Sequence, residues 1–129
     1  MKMGVNLCGV ELKNPVIAAS GTFGFGREYD KFYNVADLGG ISVKGLTRLP
    51  RLGNPPHRIT ETPSGMLNSV GLQNPGVEAF IENDLPWLLE KGAVVVANAA
   101  GSTEDDYCYM AERLSQTGIH ILEMNISCP

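Results

Sequence analysis

The sequence predicts an α/β fold in which buried parallel strands alternate with helices. Four runs of small or β-branched apolar residues are continuous rather than alternating, which is typical of strands buried on both faces. Segments with helical composition or periodicity lie between these runs, and strands in that order pair in parallel through right-handed crossovers. Polar residues follow each of the four runs along the chain.

The N-terminal part of the chain predicts a hairpin followed by a β-α-β unit. Two short alternating runs, Val5–Leu7 and Val10–Leu12, flank Cys8 and Gly9, and a two-residue connection with glycine is typical of a tight hairpin turn. The next three elements are, in order, a core strand over 15–19, a helical segment over 28–33 and a second core strand over 40–43.

A long loop is predicted over residues 46–76. This segment holds five of the chain's eight prolines, together with four glycines. Proline removes a backbone donor and glycine weakens regular elements, so neither a long helix nor a central strand is expected here. A structureless loop of this length inside a compact domain is usually functional. The segment is therefore the first indication of a site.

The second half of the chain predicts two further helix and strand pairs. Helical periodicity returns over 77–90, with a kink or break expected at Pro86. A third core strand is predicted over 93–97. Ser102, followed by three acidic residues, predicts a helix start, and this helix extends to Gln116. A fourth core strand is predicted over 119–124.

Composition excludes several classes of partner. The 129 residues suit one domain, and the net charge of -4 provides no basic surface for nucleic acid or anionic lipid. No apolar run is long enough for a membrane span and the first residues do not resemble a signal peptide, so a cytoplasmic protein is expected.

The three cysteines are far apart and odd in number, which argues against a disulfide framework and against a metal site. Cys8 and Cys108 have no charged or motif context, so both are expected to be buried, inert thiols. Cys128 differs from them because it follows the fourth predicted strand. A thiol at that position could act as a general base when it is ionised.

The residues that follow the strands favour a barrel. In a parallel sheet the carboxyl ends of the strands lie at one edge, and in a barrel they converge on the mouth, where barrel enzymes place their chemistry. Lysine supplies a positive charge and asparagine supplies both donors and an acceptor, which suits a planar, imide-like ligand. The residues that reach this edge are Ser20, Lys44, Gly45, Asn98 and Asn125.

Four segments together resemble a known family. They are NPVIAASGTFGFGREY (14–29), VKGLTRLPRLGNPPHRITETPSGMLNSVGLQNPG (43–76), ANAAGS (97–102) and NISCP (125–129). In this order and spacing they resemble the class 1 dihydroorotate dehydrogenases, most closely the type B catalytic subunit. Motifs of this length are far more specific than a short glycine pattern.

The resemblance implies a (βα)8 TIM barrel that binds FMN at its mouth and oxidises (S)-dihydroorotate to orotate in pyrimidine biosynthesis. In the implied mechanism Cys128 removes a proton from one substrate carbon, while hydride passes from the adjacent carbon to flavin N5. The implied FMN contacts are Ser20, Lys44, Gly45, Asn98 and Asn125. The implied substrate contacts are Lys44, Asn68, Ser69, Val70, Gly71, Leu72 and Asn125.

The resemblance also implies partners. Type B enzymes work with a second subunit that carries FAD and a 2Fe-2S cluster and passes electrons to NAD, and a homodimeric catalytic core is expected. A barrel needs about 250 residues, so residues 1–129 are expected to form the N-terminal half of one FMN-binding domain: a β-hairpin and the first four βα units. Alone, this half is expected to be inactive and to bind no FMN.

Two alternatives remain open on the sequence. A related flavin barrel that reduces uracil or thymine would need a similar mouth, because any pyrimidine has the same kind of imide edge. A non-catalytic half-barrel could bind a pyrimidine or a partner subunit without turnover.

Overall fold

A computed structural model describes residues 3–127 of the chain. Within this range four strands pair in parallel: β3 (Ile17–Ala18), β4 (Gly40–Ser42), β7 (Val95–Ala100) and β8 (Ile121–Asn125). They form one sheet in the order β3-β4-β7-β8. All four predicted core strands are present and pair in parallel, which confirms the α/β prediction.

The N-terminal hairpin is also confirmed. Strands β1 (Val5–Leu7) and β2 (Val10–Leu12) pair antiparallel around Cys8 and Gly9. Both turn residues have positive φ, 51° and 88°, as the hairpin turn that matches strand twist requires. The expectation of a buried thiol at Cys8 is wrong, because this turn points into solvent. Cys108 is exposed as well, on the outer side of a helix.

The segment over 46–76 is not structureless, contrary to the prediction. It contains an exposed hairpin of strands β5 (Ile59–Thr62) and β6 (Gly65–Asn68), which pair antiparallel. The prolines at 55, 56 and 63 flank these strands without interrupting them. A two-stranded ribbon has no central strand for proline to disrupt, so the composition did not exclude it.

Helical segments cover one face of the sheet. The predicted helix over 77–90 consists of α1 (Val77–Ala79), a π-helical stretch over Phe80–Asp84, and α2 (Leu85–Glu90). The irregularity therefore precedes Pro86, which lies in the first turn of α2, where its missing N–H is tolerated. The predicted helix over 28–33 is only a 3₁₀ turn at Tyr29–Lys31, with a second at Val35–Asp37.

The last helix, α3 (Glu104–Ser115), begins one residue later than predicted. Its N-cap is Thr103 rather than Ser102, and Thr103 forms a capping box with Asp106. The backbone N–H of Ser102, the Thr103 side chain and the Thr103 N–H hold the pKa of Asp106 below its ordinary value. In residues 3–127 no helix is long and apolar enough to cross a membrane.

The two faces of the sheet have different chemistry. Side chains alternate between faces along a strand, and one set packs with the helices in a continuous apolar core. The opposite face carries polar groups at the carboxyl ends of the strands. The apolar set includes Ile41, Val43, Val95, Ala97 and Ala99, together with Phe80, Leu88, Met110 and Leu114 from the helices. The polar set, called the polar face here, is Ser42, Lys44, Asn98, Glu123 and Asn125.

Candidate functional site

Three neighbouring strands contribute to one hydrogen-bonded cluster on the polar face. Asn98 Nδ2 on β7 donates to a carboxylate oxygen of Glu123 on β8. The other carboxylate oxygen accepts from Ser42 Oγ on β4 at 3.3 Å. Asn98 Oδ1 accepts from Asn125 Nδ2 at 3.2 Å. The structure therefore brings together Asn98 and Asn125, two of the predicted site residues.

Asn98 lies inside strand β7, not after it as the sequence predicted. The ladder continues past Asn98 because Asn98 pairs with Glu123 and because the backbone N–H of Leu46 donates to the Asn98 carbonyl at 2.8 Å. The flanking Ala97 and Ala99 point to the opposite face, where they belong to the apolar core. Asn98 is only 3% exposed, so both its backbone and its side chain are held rigidly.

Gly45 lies directly against this amide. A Cβ built on Gly45 would be 2.9 Å from Asn98 Oδ1 and 2.8 Å from Leu72 Cδ1. Leu72, from the predicted substrate loop, is buried and has a left-handed φ of 52°. The absence of a side chain at residue 45 therefore allows the second strand end, the third strand and the loop to meet at one place.

Lys44 and Ser20 lie at the ends of the first two core strands. Lys44 follows Ser42 by two residues, which places its half-buried side chain on the polar face. In the part of the chain that the structure describes, Lys44 takes part in none of the ion pairs. Ser20 Oγ donates to the Val43 carbonyl at 2.7 Å, which fastens the loop after β3 to the next strand.

In the predicted substrate loop, Leu72 is buried and its Cδ1 lies beside Gly45. Asn68 and Ser69 are exposed at the end of β6, while Val70 and Gly71 are half-buried. The turn is braced by Asn54, whose Nδ2 donates to the Ser69 carbonyl at 2.8 Å and whose backbone N–H donates to the Val70 carbonyl at 3.0 Å. Gly71 has a φ of 75°, and an added Cβ would be 2.8 Å from Asn54.

Cys128 lies outside the described residues, but the chain leading to it is anchored. Asn125 Oδ1 accepts hydrogen bonds from the backbone N–H and the hydroxyl of Ser127, each at 3.2 Å. The Tyr107 hydroxyl donates to the Asn125 carbonyl at 2.7 Å. An open cleft of about 460 Å³ lies beside this turn, and its lining includes Leu72, Ala100, Tyr107 and Ser127.

Glu123 and Ser42 are the members of the cluster that the sequence did not predict, and Glu123 is the acceptor at its centre. Glu123 lies two residues before Asn125 in β8. The run that contains it was interpreted only as an apolar strand. The signal that could have revealed it was a charged residue between Leu122 and Met124, because alternation along a strand places Glu123, which is exposed, on the same face as Asn125. In residues 3–127 no group of three or more His, Cys, Asp or Glu side chains could hold a metal ion.

Comparisons with known proteins identify the family to which the chain belongs. The chain's residues 2–129 match the family model described as dihydroorotate dehydrogenase. The catalytic subunit of dihydroorotate dehydrogenase B (NAD(+)) from Thermoanaerobacter pseudethanolicus is 54% identical over 129 residues, covering 100% of this chain and 43% of that protein. The subunit of the same name from Geobacillus kaustophilus is 52% identical, covering 99% of this chain and 41% of that protein. The chain thus spans less than half the length of these relatives.

Solved structures show a similar fold. A crystal structure of DHODH from Eimeria tenella in complex with ferulenol superposes with a TM-score of 0.75 at 23% sequence identity, covering 98% of this chain and 36% of that one. The ligand-free form gives a TM-score of 0.70 at 21% identity, with 98% and 38% covered. By its family match over almost all of its residues, the chain belongs to the dihydroorotate dehydrogenase family, and its sequence is similar to the B-type catalytic subunits.

Proposed function

We propose that the protein containing this chain catalyses the flavin-dependent oxidation of (S)-dihydroorotate to orotate in pyrimidine biosynthesis. Its electrons pass through FMN to NAD by way of a partner subunit with FAD and a 2Fe-2S cluster. The names of the similar proteins, which include NAD(+) and describe catalytic subunits, support this proposal. A homodimeric catalytic core completes the proposed assembly.

The proposed architecture is one (βα)8 barrel domain, to which residues 1–129 contribute the N-terminal hairpin and four βα units. Two observations support it. All four core strands are parallel, and they are adjacent in the sheet in the same order as in the sequence, which is the arrangement of strands around a barrel. The polar groups lie at their carboxyl ends, the position of active sites in barrel enzymes.

The cluster on the polar face is the observation that carries the functional proposal, and its donor set fits FMN. Two carboxamides on adjacent strands provide donors and acceptors for the edges of a flat heterocycle, and Lys44 provides a cation beside them. Because Gly45 has no side chain, residue 45 does not crowd the adjacent Asn98 amide. When bound, FMN supplies the acceptor for the two electrons that leave the substrate.

Each predicted residue has a proposed role. Ser20, Lys44, Gly45, Asn98 and Asn125 hold FMN, and Lys44 and Asn125 also reach the substrate. The loop of Asn68, Ser69, Val70, Gly71 and Leu72 covers the substrate. Cys128 takes a proton from a substrate carbon, and the anchored turn at Asn125 and Ser127 restrains the chain just before the thiol.

Substrate choice tests the reaction. The full-length protein is mixed without oxygen with either dihydroorotate or dihydrouracil, and the flavin absorbance is followed. Dihydroorotate should remove the yellow absorbance, because Lys44 provides a cation for its carboxylate, whereas dihydrouracil lacks that group. Faster loss with dihydrouracil would assign the protein to the pyrimidine reductases instead.

Replacement of Cys128 by serine tests the proton transfer. A hydroxyl is a far weaker base than a thiolate, and general bases contribute roughly 10²–10⁴-fold to rate, so flavin reduction by dihydroorotate should slow within that range. Orotate should still bind, since no proton is moved in binding. Reduction of Cys128→Ser at the wild-type rate would remove Cys128 from this role.

A further inference from the structure

A continuous series of hydrogen bonds on the polar face ends at one carboxylate. Ser127 donates its backbone N–H to Asn125 Oδ1 at 3.2 Å, and Asn125 Nδ2 donates to Asn98 Oδ1 at 3.2 Å. Asn98 Nδ2 then donates to Glu123. Every donor in the series points toward Glu123, which also accepts from Ser42.

The direction of the series follows from the chemistry of its last acceptor. A carboxamide has a donor end and an acceptor end, and a half turn of the group exchanges them. A carboxylate only accepts, so Asn98 must turn its NH₂ toward Glu123 and its oxygen toward Asn125. Asn125 must then turn its NH₂ toward Asn98 and its oxygen toward Ser127.

We propose that Glu123 is a positioning residue that fixes which way round the amides of Asn98 and Asn125 face their ligand. The fixed orientation of the amides does not depend on the proposed function; the identity of the ligand, a flavin and a pyrimidine, does. Such rings present N–H donors and C=O acceptors in a fixed order along their edges. An amide turned the wrong way would set donor against donor or acceptor against acceptor and leave polar groups unpaired.

The position of Glu123 suits this role. Glu123 pairs in register with Asn98 across the β7–β8 ladder, so the two side chains leave the same face side by side. Asn98 is 3% exposed, so water has little access to compete for its amide. A glutamine at residue 123 would have the same shape but could donate as well as accept. Only the Ser127 N–H, at the other end of the series, would then favour the present orientation of the amides.

Glu123→Gln in the full-length protein tests the proposal, with Glu90→Gln as the matched control. Glu90 is exposed at the end of α2, on the side of the sheet that the helices cover. Its replacement by glutamine removes the same charge. Neutron diffraction from deuterium-exchanged crystals shows which atom of each amide carries deuterium. In the wild type and in Glu90→Gln, deuterium should lie on the Asn98 atom that faces Glu123. In Glu123→Gln the reverse orientation of Asn98 should gain a measurable share, although the Ser127 N–H still favours the wild-type one.

Orotate binding to the FMN-loaded protein provides the second readout. Loss of a hydrogen bond to a charged group should raise the orotate dissociation constant of Glu123→Gln roughly tenfold, while Glu90→Gln should match the wild type. Deuterium on the Asn98 atom that faces Asn125 in the wild type would overturn the proposal without any variant. Unchanged orotate affinity in Glu123→Gln would overturn the link to the ligand. A wild type that binds no orotate but shows the stated amide orientation would instead contradict the proposed function.

Discussion

Gly45 shows how a single residue can control the site. A Cβ added at residue 45 would be too close to Leu72 on one side and to the Asn98 amide on the other. Leu72 has a flexible end that can move, but Asn98 is held by Glu123 and Asn125. Any side chain at residue 45 therefore acts on the orientation of Asn98.

Gly45→Ala should destabilise the full-length protein and weaken FMN binding. Overpacking of this kind costs about 1–3 kcal/mol, because either Leu72 or Asn98 must shift. Denaturant titration measures the stability, and flavin fluorescence measures the binding. Gly65→Ala is the control, since its added Cβ would have no atom closer than Thr62 Oγ1 at 4.0 Å. Equal stability and equal flavin affinity of the two variants would contradict this account of Gly45.

Of the residues that meet in the hydrogen-bonded cluster, the sequence analysis had proposed Asn98 and Asn125 but not Ser42 or Glu123. Lys44 and Asn125 were identified because polar residues after apolar strands converge in a parallel sheet. Glu123 was missed, since its partner Asn98 is distant in sequence and becomes a neighbour only when β7 and β8 pair. The exposure of Cys8 and Cys108 was also not predictable from their residue type, because cysteine is usually buried.

At the scale of elements, local patterns predicted the core strands and missed their exact ends. Strand β7 extends past Asn98 because its neighbours on both sides continue to pair with it. The strand propensity of the residues themselves does not indicate this pairing. The hairpin of β5 and β6 was missed because its strands are short, exposed and flanked by prolines. By contrast, α3 has its own signal in the acidic residues of its first turn.

Thr103→Ala should lower the stability of the protein by about 1 kcal/mol, the typical cost of losing an N-cap side chain. Its hydroxyl accepts from the backbone N–H of Asp106 at 3.2 Å, and that donor would be left without its partner at the helix start. Urea denaturation measures the change. Thr60→Ala, on the exposed hairpin strand β5, is a control for the loss of a threonine side chain. A loss no greater than in the control would show that the cap contributes nothing.

Asp106→Asn should lower the melting temperature at neutral pH, by an amount that shrinks in acid. The folded pKa of Asp106 is lower than its unfolded value, so its contribution is complete above the unfolded pKa and is lost as the pH falls through the folded pKa. Melting curves of the wild type and the variant should therefore converge as the pH falls below the ordinary carboxyl range. A difference in melting temperature that persists unchanged at pH values well below that range would contradict the assigned cause.

At the scale of the molecule, one face of the sheet belongs to the apolar core and the other face carries the polar groups of the candidate site. The helix-facing side of the sheet is apolar throughout, and its other side carries the polar face at the carboxyl ends of three adjacent strands. Continuous apolar runs predicted that both faces would be buried, whereas the structure has hydrogen-bonded polar side chains on one of them. In the proposed barrel, the polar face lines the interior of the mouth.

The central claim is that the polar face binds the flavin and the substrate, and Asn98→Ala in the full-length protein tests it most directly. Asn83→Ala is the matched control, because Asn83 is exposed on the helix-covered side of the sheet and its amide donates to the nearby Ala79 carbonyl at 2.9 Å. Flavin content and the rate of flavin reduction by dihydroorotate without oxygen are measured for both, and circular dichroism confirms folding. The account predicts that folded Asn98→Ala loses its flavin or is reduced at least about tenfold more slowly, as the loss of a buried hydrogen-bonding group implies, while Asn83→Ala matches the wild type. Full flavin content together with wild-type reduction in Asn98→Ala would contradict it.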